Sequence, residues 1–556
     1  MWNARKLLEY LRTRAPYMNF KIKHISWIGA LVFGSFTAQA QTPNVNIPYS
    51  YQFYQKLNKS VYDVENRSHS SIKGYYADDS LLVHRYNELM KMGTDSLNHR
   101  SWVRRKITEE HLLNFKGEDY EVYADFLPDF QIGREFSEGK TTWINTRGVQ
   151  VGGKVGKEFS FYTNVYENQG VFANYLTDFI NTNQVVPSQM SGKLSGTTKD
   201  WSYATALLSY TPNKHLNLAV GYDKNFIGDG YRSMLLSDVA ANYSFVRLRA
   251  SLGNVQYQTI FGYMLDPGAQ KLTADRRLGD RGKWAAMHYV DWNATKRFSI
   301  GFFQAVTWAD AEPEGKRGFD FNYIHPFIFL RSVEGANTTS PDKMRLGINT
   351  KYEILDKTTV YGQFMIDEFT AKEFFSNKGY WANKWALQIG FRGSDLFKVE
   401  GLNYLAEFNT ARPYTYAHFD RVSNYAAMNQ PLAHPLGANF REVLGLMNYT
   451  YKRFDFQGQL MYARYGLDPE GKNYGKDIFK SYTTVNSIYG NYIGQGIKTN
   501  LYFAEGRVAY LLNPKYNLRL EVGGVYRKES NSLGNKNTGL ITFGLRSTFR
   551  NLYQDM

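Results

Sequence analysis

Residues 516–526 read Tyr-Asn-Leu-Arg-Leu-Glu-Val-Gly-Gly-Val-Tyr, and their alternation decides the fold. Tyr516, Leu518, Leu520, Val522 and Tyr526 fall on one face, and Asn517, Arg519, Glu521 and Gly523 on the other. A period of two means a strand with one apolar face. The opposite face carries full charges, which is what a closed barrel with lipid outside and a polar lumen needs. The pattern returns in Leu346/Ile348/Tyr352 against Arg345/Asn349/Lys351/Glu353. It returns again in Trp385/Leu387/Ile389/Phe391 against Lys384/Gln388/Arg392, and in Ile541/Phe543/Leu545 against Thr542/Arg546/Thr548.

From about residue 120 onward, roughly seventeen or eighteen such segments follow, each close to the length that crosses a bilayer at a tilt. Short turns mark one side: Pro212-Asn213-Lys214, Asn293-Ala294-Thr295, Leu355-Asp356-Lys357 and Asn513-Pro514-Lys515. Long insertions mark the other, at about 167–200, 222–241, 266–283, 308–344, 368–382, 409–439 and 465–498. The expected fold is therefore all-β, a transmembrane antiparallel β-barrel of about 18 strands over residues 119–556. Its last strand is expected at Gly539–Arg550, with Ile541, Phe543, Leu545 and Phe549 on one face. The outward set is expected to include Leu346, Ile348, Leu387, Ile389, Leu518 and Leu520.

The 556 residues include 43 Tyr, 37 Phe and no Cys. Abundant tyrosine fits membrane-interface girdles, where an apolar ring carries a wet hydroxyl. An aromatic-rich soluble β protein, such as a polysaccharide-binding sandwich, is the alternative. The lack of cysteine excludes disulfides, thiol catalysis and thiolate metal sites. The formal net charge is +15, which in a cytosolic protein would point to nucleic acid.

The N-terminus argues for export instead. Lys21 and Lys23 precede an apolar run from Ile25 to Phe36, then Ala38-Gln39-Ala40. This reads as a Sec signal peptide over residues 1–40, with the mature chain beginning at Gln41. Met18 is an alternative start, which would leave residues 1–17 as an extension. No cysteine follows the cleavage site to carry a lipid, and no other stretch is apolar and long enough for a helical span. The expected location is the Gram-negative outer membrane. The expected partners are its lipid and lipopolysaccharide, anionic or neutral surface glycans, and envelope or motility-machinery proteins, with no nucleic acid.

Residues 41–118 are expected to form a periplasmic lead-in and a small helical segment. Residues 41–60 are polar and rich in Pro and Asn. Leu81, Leu82, Tyr86, Leu89 and Met90 then recur at helical spacing, continued by Trp102, Val103, Ile107 and Leu112-Leu113. A linker with nascent helices is the alternative.

Three constellations carry candidate chemistry. The first runs from Gly221 through Phe226, Gly228, Gly230 and Ser233 to Ser237. The second runs from His325-Pro326 to Arg331-Ser332-Val333-Glu334. The third is Asp367-Glu368, closing a strand that contains Tyr361-Gly362-Gln363. Downstream come Glu407-Phe408-Asn409, Arg412, Tyr414-Thr415-Tyr416-Ala417-His418, His434-Pro435-Leu436-Gly437 and Asn439. In type and order this set resembles the Wzi-type capsule-assembly family of outer-membrane proteins, including its gliding-motility-associated RemB-like branch in Bacteroidetes. The resemblance covers most of residues 120–550. It implies an 18-stranded, occluded barrel with a periplasmic helical bundle and loops that hold surface polysaccharide. Where the family has Trp and Pro in the first constellation, this chain has Phe226-Ile227-Gly228-Asp229-Gly230.

The candidate polysaccharide-binding residues are Arg331, Glu334, Glu407, Asn409, Arg412, Tyr414, Tyr416 and His418. Tyr414, Tyr416 and Trp381 offer ring faces for sugar C–H groups, and the charged and amide groups can hold hydroxyls or carboxylates. Arg247, Arg249, Arg345, Lys351, Glu353, Asp367, Lys384, Arg392, Arg519 and Glu521 are expected to face the lumen and to pair with one another, because charge in a narrow interior must be paired or solvated. The Gly-rich 221–230 segment reads as an inward-folded plug or hinge.

No catalytic, cofactor or metal site is expected. Asp367 and Glu368 are adjacent, so on a regular strand they point to opposite faces and cannot act as an acid/base pair. His325, His418 and His434 lack metal-ligand spacing. The expected function is a non-catalytic barrel that binds or organises surface polysaccharide, supporting capsule attachment, adhesion or gliding. A diffusion porin with a basic lumen and an accessory scaffold of a secretion or motility machine are the alternatives.

Overall fold

The computed structural model describes residues 46–76, 80–92, 100–273, 279–325 and 342–556. Strands β1 to β6 run over Tyr120–Glu135, Lys140–Val155, Phe159–Val171, Lys199–Asn213, Leu216–Asp223 and Tyr243–Leu252. Strands β7 to β12 run over Val255–Asp266, Arg281–Trp292, Phe298–Ala309, Lys343–Leu355, Thr358–Glu368 and Lys384–Gly393. Strands β13 to β18 run over Leu402–Ala411, Phe440–Tyr451, Phe454–Leu467, Ile497–Asn513, Leu518–Asn531 and Gly534–Ser547. Each pairs antiparallel with its sequence neighbours, and β1 pairs with β18 through Phe130↔Leu545 and Ile132↔Phe543. The result is a closed antiparallel barrel of 18 strands. A short strand, Leu113–Lys116, pairs with Glu121–Ala124 of β1, the stretch that β18 does not reach, and so covers an open edge.

Apart from 136–139 and 532–533, the tight turns, such as His215 between β4 and β5 and Lys452 between β14 and β15, lie at one end of the barrel. The connections 172–198, 224–242, 267–280, 310–342, 369–383, 412–439 and 468–496 lie at the other. The long insertions read from the sequence match these within a few residues.

The period-two reading holds in most strands; in β8 and β9 the runs Ala285–Tyr289 and Phe303–Ala309 are buried on both faces, where Tyr323 packs with Ala286, Val306 and Trp308. In β12, Ile389 and Phe391 are about half exposed, whereas Gln388 and Arg392 are buried. Leu346, Ile348, Leu520 and Val522 face outward, and Arg345, Lys351, Glu353, Arg519 and Glu521 face inward and are buried. An apolar outer belt of this extent is what hydrocarbon would solvate. No helix among the described residues is long and apolar enough to cross a membrane. Arginine at Ile348 or Ile389, both mid-strand, is expected to cost about 2–4 kcal/mol in a refolding titration. A near-neutral result at both would mean that these side chains do not meet lipid.

Three expectations change at strand ends. Leu518 was expected among the lipid-facing residues but is buried with Tyr516, in a cluster with Leu127 and Leu545. It lies at the tight-turn rim, where the Tyr516 hydroxyl donates to the Lys106 carbonyl at 3.2 Å. The last strand stops at Ser547, and Phe549 turns inward to pack edge-on against Phe53 at 5.7 Å. In β11 the register shifts between Ile366 and Glu368. This bulge puts both adjacent carboxylates on lumenal cations: Asp367 on Arg345 (3.0 Å), and Glu368 on Lys384 (2.7 Å) and Lys343 (3.1 Å).

Helical structure begins at Tyr51, earlier than the helical spacing from Leu81 onward implies. Its turns, Tyr51–Tyr54, Gln55–Leu57 and Asn58–Val61, are largely buried, and helices Ser80–Met90 and Trp102–Thr108 follow. This segment enters the barrel at the tight-turn end. Lys56 pairs with Asp455 (2.6 Å), His69 contacts Asp291 (2.6 Å), and Asn58 accepts from Arg392 (2.6 Å).

Candidate functional site

The lumen is filled from within the chain. Connection 224–242 leaves β5, crosses the interior and returns to β6. Its Asp229 accepts from Tyr62 (3.0 Å), Ser70 (2.5 Å) and Asn349 of β10 (3.1 Å). Further on, the Tyr231 amide donates to Glu407 of β13 at 2.5 Å, and the Met234 amide to Gln363 of β11 at 2.7 Å. Arg232 reaches Glu442 of β14 at 3.2 Å. In a ring of 18 strands, β14 lies halfway round from β5, so this segment spans the full width.

Glycines allow the close approach. A Cβ on Gly230 would lie 2.2 Å from the Glu407 carboxylate, and one on Gly228 (φ +151°) would lie 2.6 Å from the Gln363 amide. Ser233 donates to the Ile227 carbonyl at 2.6 Å and accepts from the Leu235 and Leu236 amides. Ser237 donates to the Leu432 carbonyl at 3.2 Å, Phe226 is buried, and Gly221 sits in β5 against Leu207 and Phe245. The first constellation is a plug, as its glycines led one to expect.

Two further segments complete the filling. The C-terminal tail folds back inside, where Asp555 accepts from Arg232 at 2.8 Å and Asp238 accepts from Tyr553 at 2.7 Å and Asn551 at 2.6 Å. From the long-loop end, connection 412–439 packs down on the plug. Tyr416 donates to the Met234 carbonyl (2.9 Å) and Tyr425 to the Leu235 carbonyl (2.6 Å).

The expected lumenal ion pairs form only in part. Lys351–Glu353 (3.5 Å), Arg519–Glu521 (2.9 Å) and Arg345–Asp367 are pairs, and Arg546 bridges Glu521 and Asp129. Arg247, Arg249 and Arg392 have no carboxylate partner among the described residues, which corrects the pairing expected for them. Arg247 donates to Asn225, Arg249 to Gln258 and the Gly74 carbonyl, and Arg392 to Tyr62 and Asn58.

The candidate binding residues separate into groups. Arg331 and Glu334 lie outside the described residues. Glu407 and Asn409 are on the inner face of β13, with Glu407 held by Tyr231 and Tyr361 and Asn409 by Glu442 and Gln388. Tyr414 and Tyr416 are 1% and 0% exposed, so neither presents a ring face to a ligand. Tyr414 donates to the Asn473 carbonyl at 2.7 Å, and Arg412 to the carbonyls of Tyr380 and Asn491 at 3.3 Å each. These residues brace the loops. His418 is buried, and burial with Arg345 and Lys343 nearby pulls its pKa down to about 3.

What the braced loops present is an aromatic row. Tyr489 lies 5.5 Å from Tyr380, Tyr380 lies 6.2 Å from Trp381, and Trp381 lies 5.2 Å from Tyr482. Phe419 continues the row at 6.2 Å from Tyr482. Lys384 sits beneath, 3.7 Å from the Tyr482 ring centre and 4.7 Å from that of Trp381. Phe419 and Tyr489 are each nearly half exposed, while Tyr380, Trp381 and Tyr482 are half-buried. Three loops contribute, laced by the amides of Trp381 and Gly490, which donate to the carbonyls of Ile488 (3.0 Å) and Lys378 (2.8 Å). Sequence reading singled out Trp381 but missed Tyr380, Phe419, Tyr482 and Tyr489. The available signal was Gly379-Tyr380-Trp381 and the tyrosines of the Ser/Thr/Asn-rich 481–492 stretch.

No family model and no curated protein matches the sequence. Among solved structures, the chain is similar to Wzi of Escherichia coli, described as an outer membrane protein involved in group 1 capsule assembly and as a carbohydrate-binding β-barrel. Identity is 12% over 91% of this chain and 100% of that one, with a TM-score of 0.52. OprD of Pseudomonas aeruginosa matches at 10% identity over 76% of this chain and 94% of its own, with a TM-score of 0.40. OccAB2 of Acinetobacter baumannii matches at 8% identity over 77% and 98%, with a TM-score of 0.38. The barrel fold matches that of Gram-negative outer-membrane proteins, and at these identities the likeness speaks for the fold alone.

Proposed function

We propose that this chain is a non-catalytic outer-membrane barrel that holds a surface polysaccharide at its long-loop end. The observation that carries the reading is the aromatic row from Tyr489 to Phe419, mounted over an interior filled by the chain itself. Sugar rings pack their C–H faces on aromatics, and a row of ring faces suits a chain of sugars rather than a single one. The carbohydrate-binding description of the E. coli barrel supports the same reading. Arg412, Tyr414, Tyr416 and His418 then act by positioning the loops, and Glu407 and Asn409 by anchoring the plug. Export through the leader ending at Ala40, residence beside lipopolysaccharide, and a supporting part in adhesion or gliding belong to this proposal. The diffusion-porin alternative requires a path that the crossing segments oppose.

The test is cell-associated polysaccharide in a deletion strain complemented with wild-type protein or with the Trp381→Ala/Tyr489→Ala double variant. Each lost aromatic contact is worth roughly 0.5–1.5 kcal/mol. The double variant should therefore retain several-fold to more than tenfold less polysaccharide at equal barrel abundance. Unchanged retention in the double variant would defeat the proposal. Because His418 stays neutral down to about pH 3, retention should be flat between about pH 5 and 7.

A further inference from the structure

At the opposite, tight-turn end, a cavity of about 320 Å3 lies between the N-terminal segment and the wall formed by β1 to β6. This volume is at the lower end of small-molecule sites, roughly 300–1,000 Å3. Its lining holds six Lys or Arg against three Asp or Glu. The buried acids are already engaged: Asp223 accepts from Tyr162 at 2.5 Å, and Asp238 from Asn551 and Tyr553.

The cations are not matched in the same way. Lys73 donates to the Ser70 carbonyl and the Tyr75 hydroxyl, and Lys224 to the carbonyls of Ser188 and Asp238. Arg247 donates to Asn225, and Arg550 to Gln189 and Thr548 while lying 4.0 Å over the Tyr166 ring. None of these four has a carboxylate within ion-pair distance among the described residues. In the same lining, the Arg247 Nε, the Thr205 hydroxyl and the Tyr49 hydroxyl are buried without any hydrogen-bond partner. Arg247 and Thr205 are 4% and 5% exposed. Buried polar groups are nearly always satisfied, so the two orphan hydroxyls around one cavity mark a missing partner.

We propose that this cavity binds an acidic saccharide, with its carboxylate toward Arg247 and Lys224 and its hydroxyls toward Tyr49 and Thr205. The excess of cations selects the anion, and the tyrosine faces of the lining, such as Tyr162 and Tyr203, select a ring over a bare oxyanion. This site does not depend on the aromatic row at the other end, and the two succeed or fail separately.

The test is saturation-transfer NMR and titration calorimetry of the purified full-length protein with glucuronate, glucose and inorganic phosphate. Glucuronate should bind at least tenfold more tightly than glucose, and phosphate should displace it poorly. Arg247→Met should weaken glucuronate at least tenfold. Tyr49→Phe removes only an unpartnered hydroxyl, so it should fold as the wild type does and weaken glucuronate severalfold. Trp381→Ala/Tyr489→Ala should leave that affinity unchanged. Absence of glucuronate binding, equal binding of glucose, full displacement by equimolar phosphate, or a Tyr49→Phe affinity equal to wild type would each overturn the proposal.

Discussion

Replacing Arg232 with alanine is expected to lower the unfolding free energy by about 3–5 kcal/mol in a denaturant titration in detergent, the range for breaking a buried ion pair by removing one partner. The guanidinium is fully buried and sits between Asp555 of the C-terminal tail at 2.8 Å and Glu442 of β14 at 3.2 Å. The rings of Tyr231 and Tyr553 flank it at 4.9 and 5.6 Å. Without it, both carboxylates stay buried in a low-dielectric interior. Glu442 keeps His434 and Asn409 at 2.8 Å each, and Asp555 keeps Gln459, and neutral donors do not balance two charges. Asp555→Asn in the Arg232→Ala background should recover part of the loss, because it removes one of the stranded charges. A cost below about 1 kcal/mol for Arg232→Ala would show that the segment is not held as described.

The barrel was legible in the sequence because lipid and lumen impose opposite demands on successive residues, and that demand is local. Ile389 and Phe391 against Gln388 and Arg392 need no knowledge of the rest of the chain. What was not legible depends on partners far along it. Arg392 reads as one half of an ion pair, yet it meets Asn58 and Tyr62, more than 300 residues away. Phe549 continues the period of the last strand and still leaves it, because Phe53 offers a burial site within the barrel. Asp367 and Glu368 share a side through a bulge that alternation alone does not announce.

The binding end failed differently. Tyr414 and Tyr416 have the composition of a sugar platform, but both have positive φ (66° and 72°) in a loop turned down onto the plug. The fold spends them on packing. Apart from Phe419, the rings of the row belong to neighbouring loops whose assembly depends on contacts such as Trp381 with Ile488, and no spacing rule reports those. The Gly-rich segment was readable as a plug because Gly228 and Gly230 permit a backbone approach that a Cβ would block.

An interior crossed by residues 224–242, entered from below by residues 46–76 and closed by the C-terminal tail should not pass ions. The second large effect expected is accordingly all-or-none: a variant with residues 225–241 replaced by a short Gly-Ser linker should conduct where the wild type does not. The linker variant also serves as the control that the barrel inserts, since its currents would show that silence in the wild type is occlusion. Single-channel recording of purified wild-type protein in planar bilayers, beside that variant, is the most direct measurement. An occluded, polysaccharide-holding barrel predicts no steady current for the wild type and discrete openings for the linker variant. A stable, ohmic wild-type conductance would contradict it and make the protein a channel.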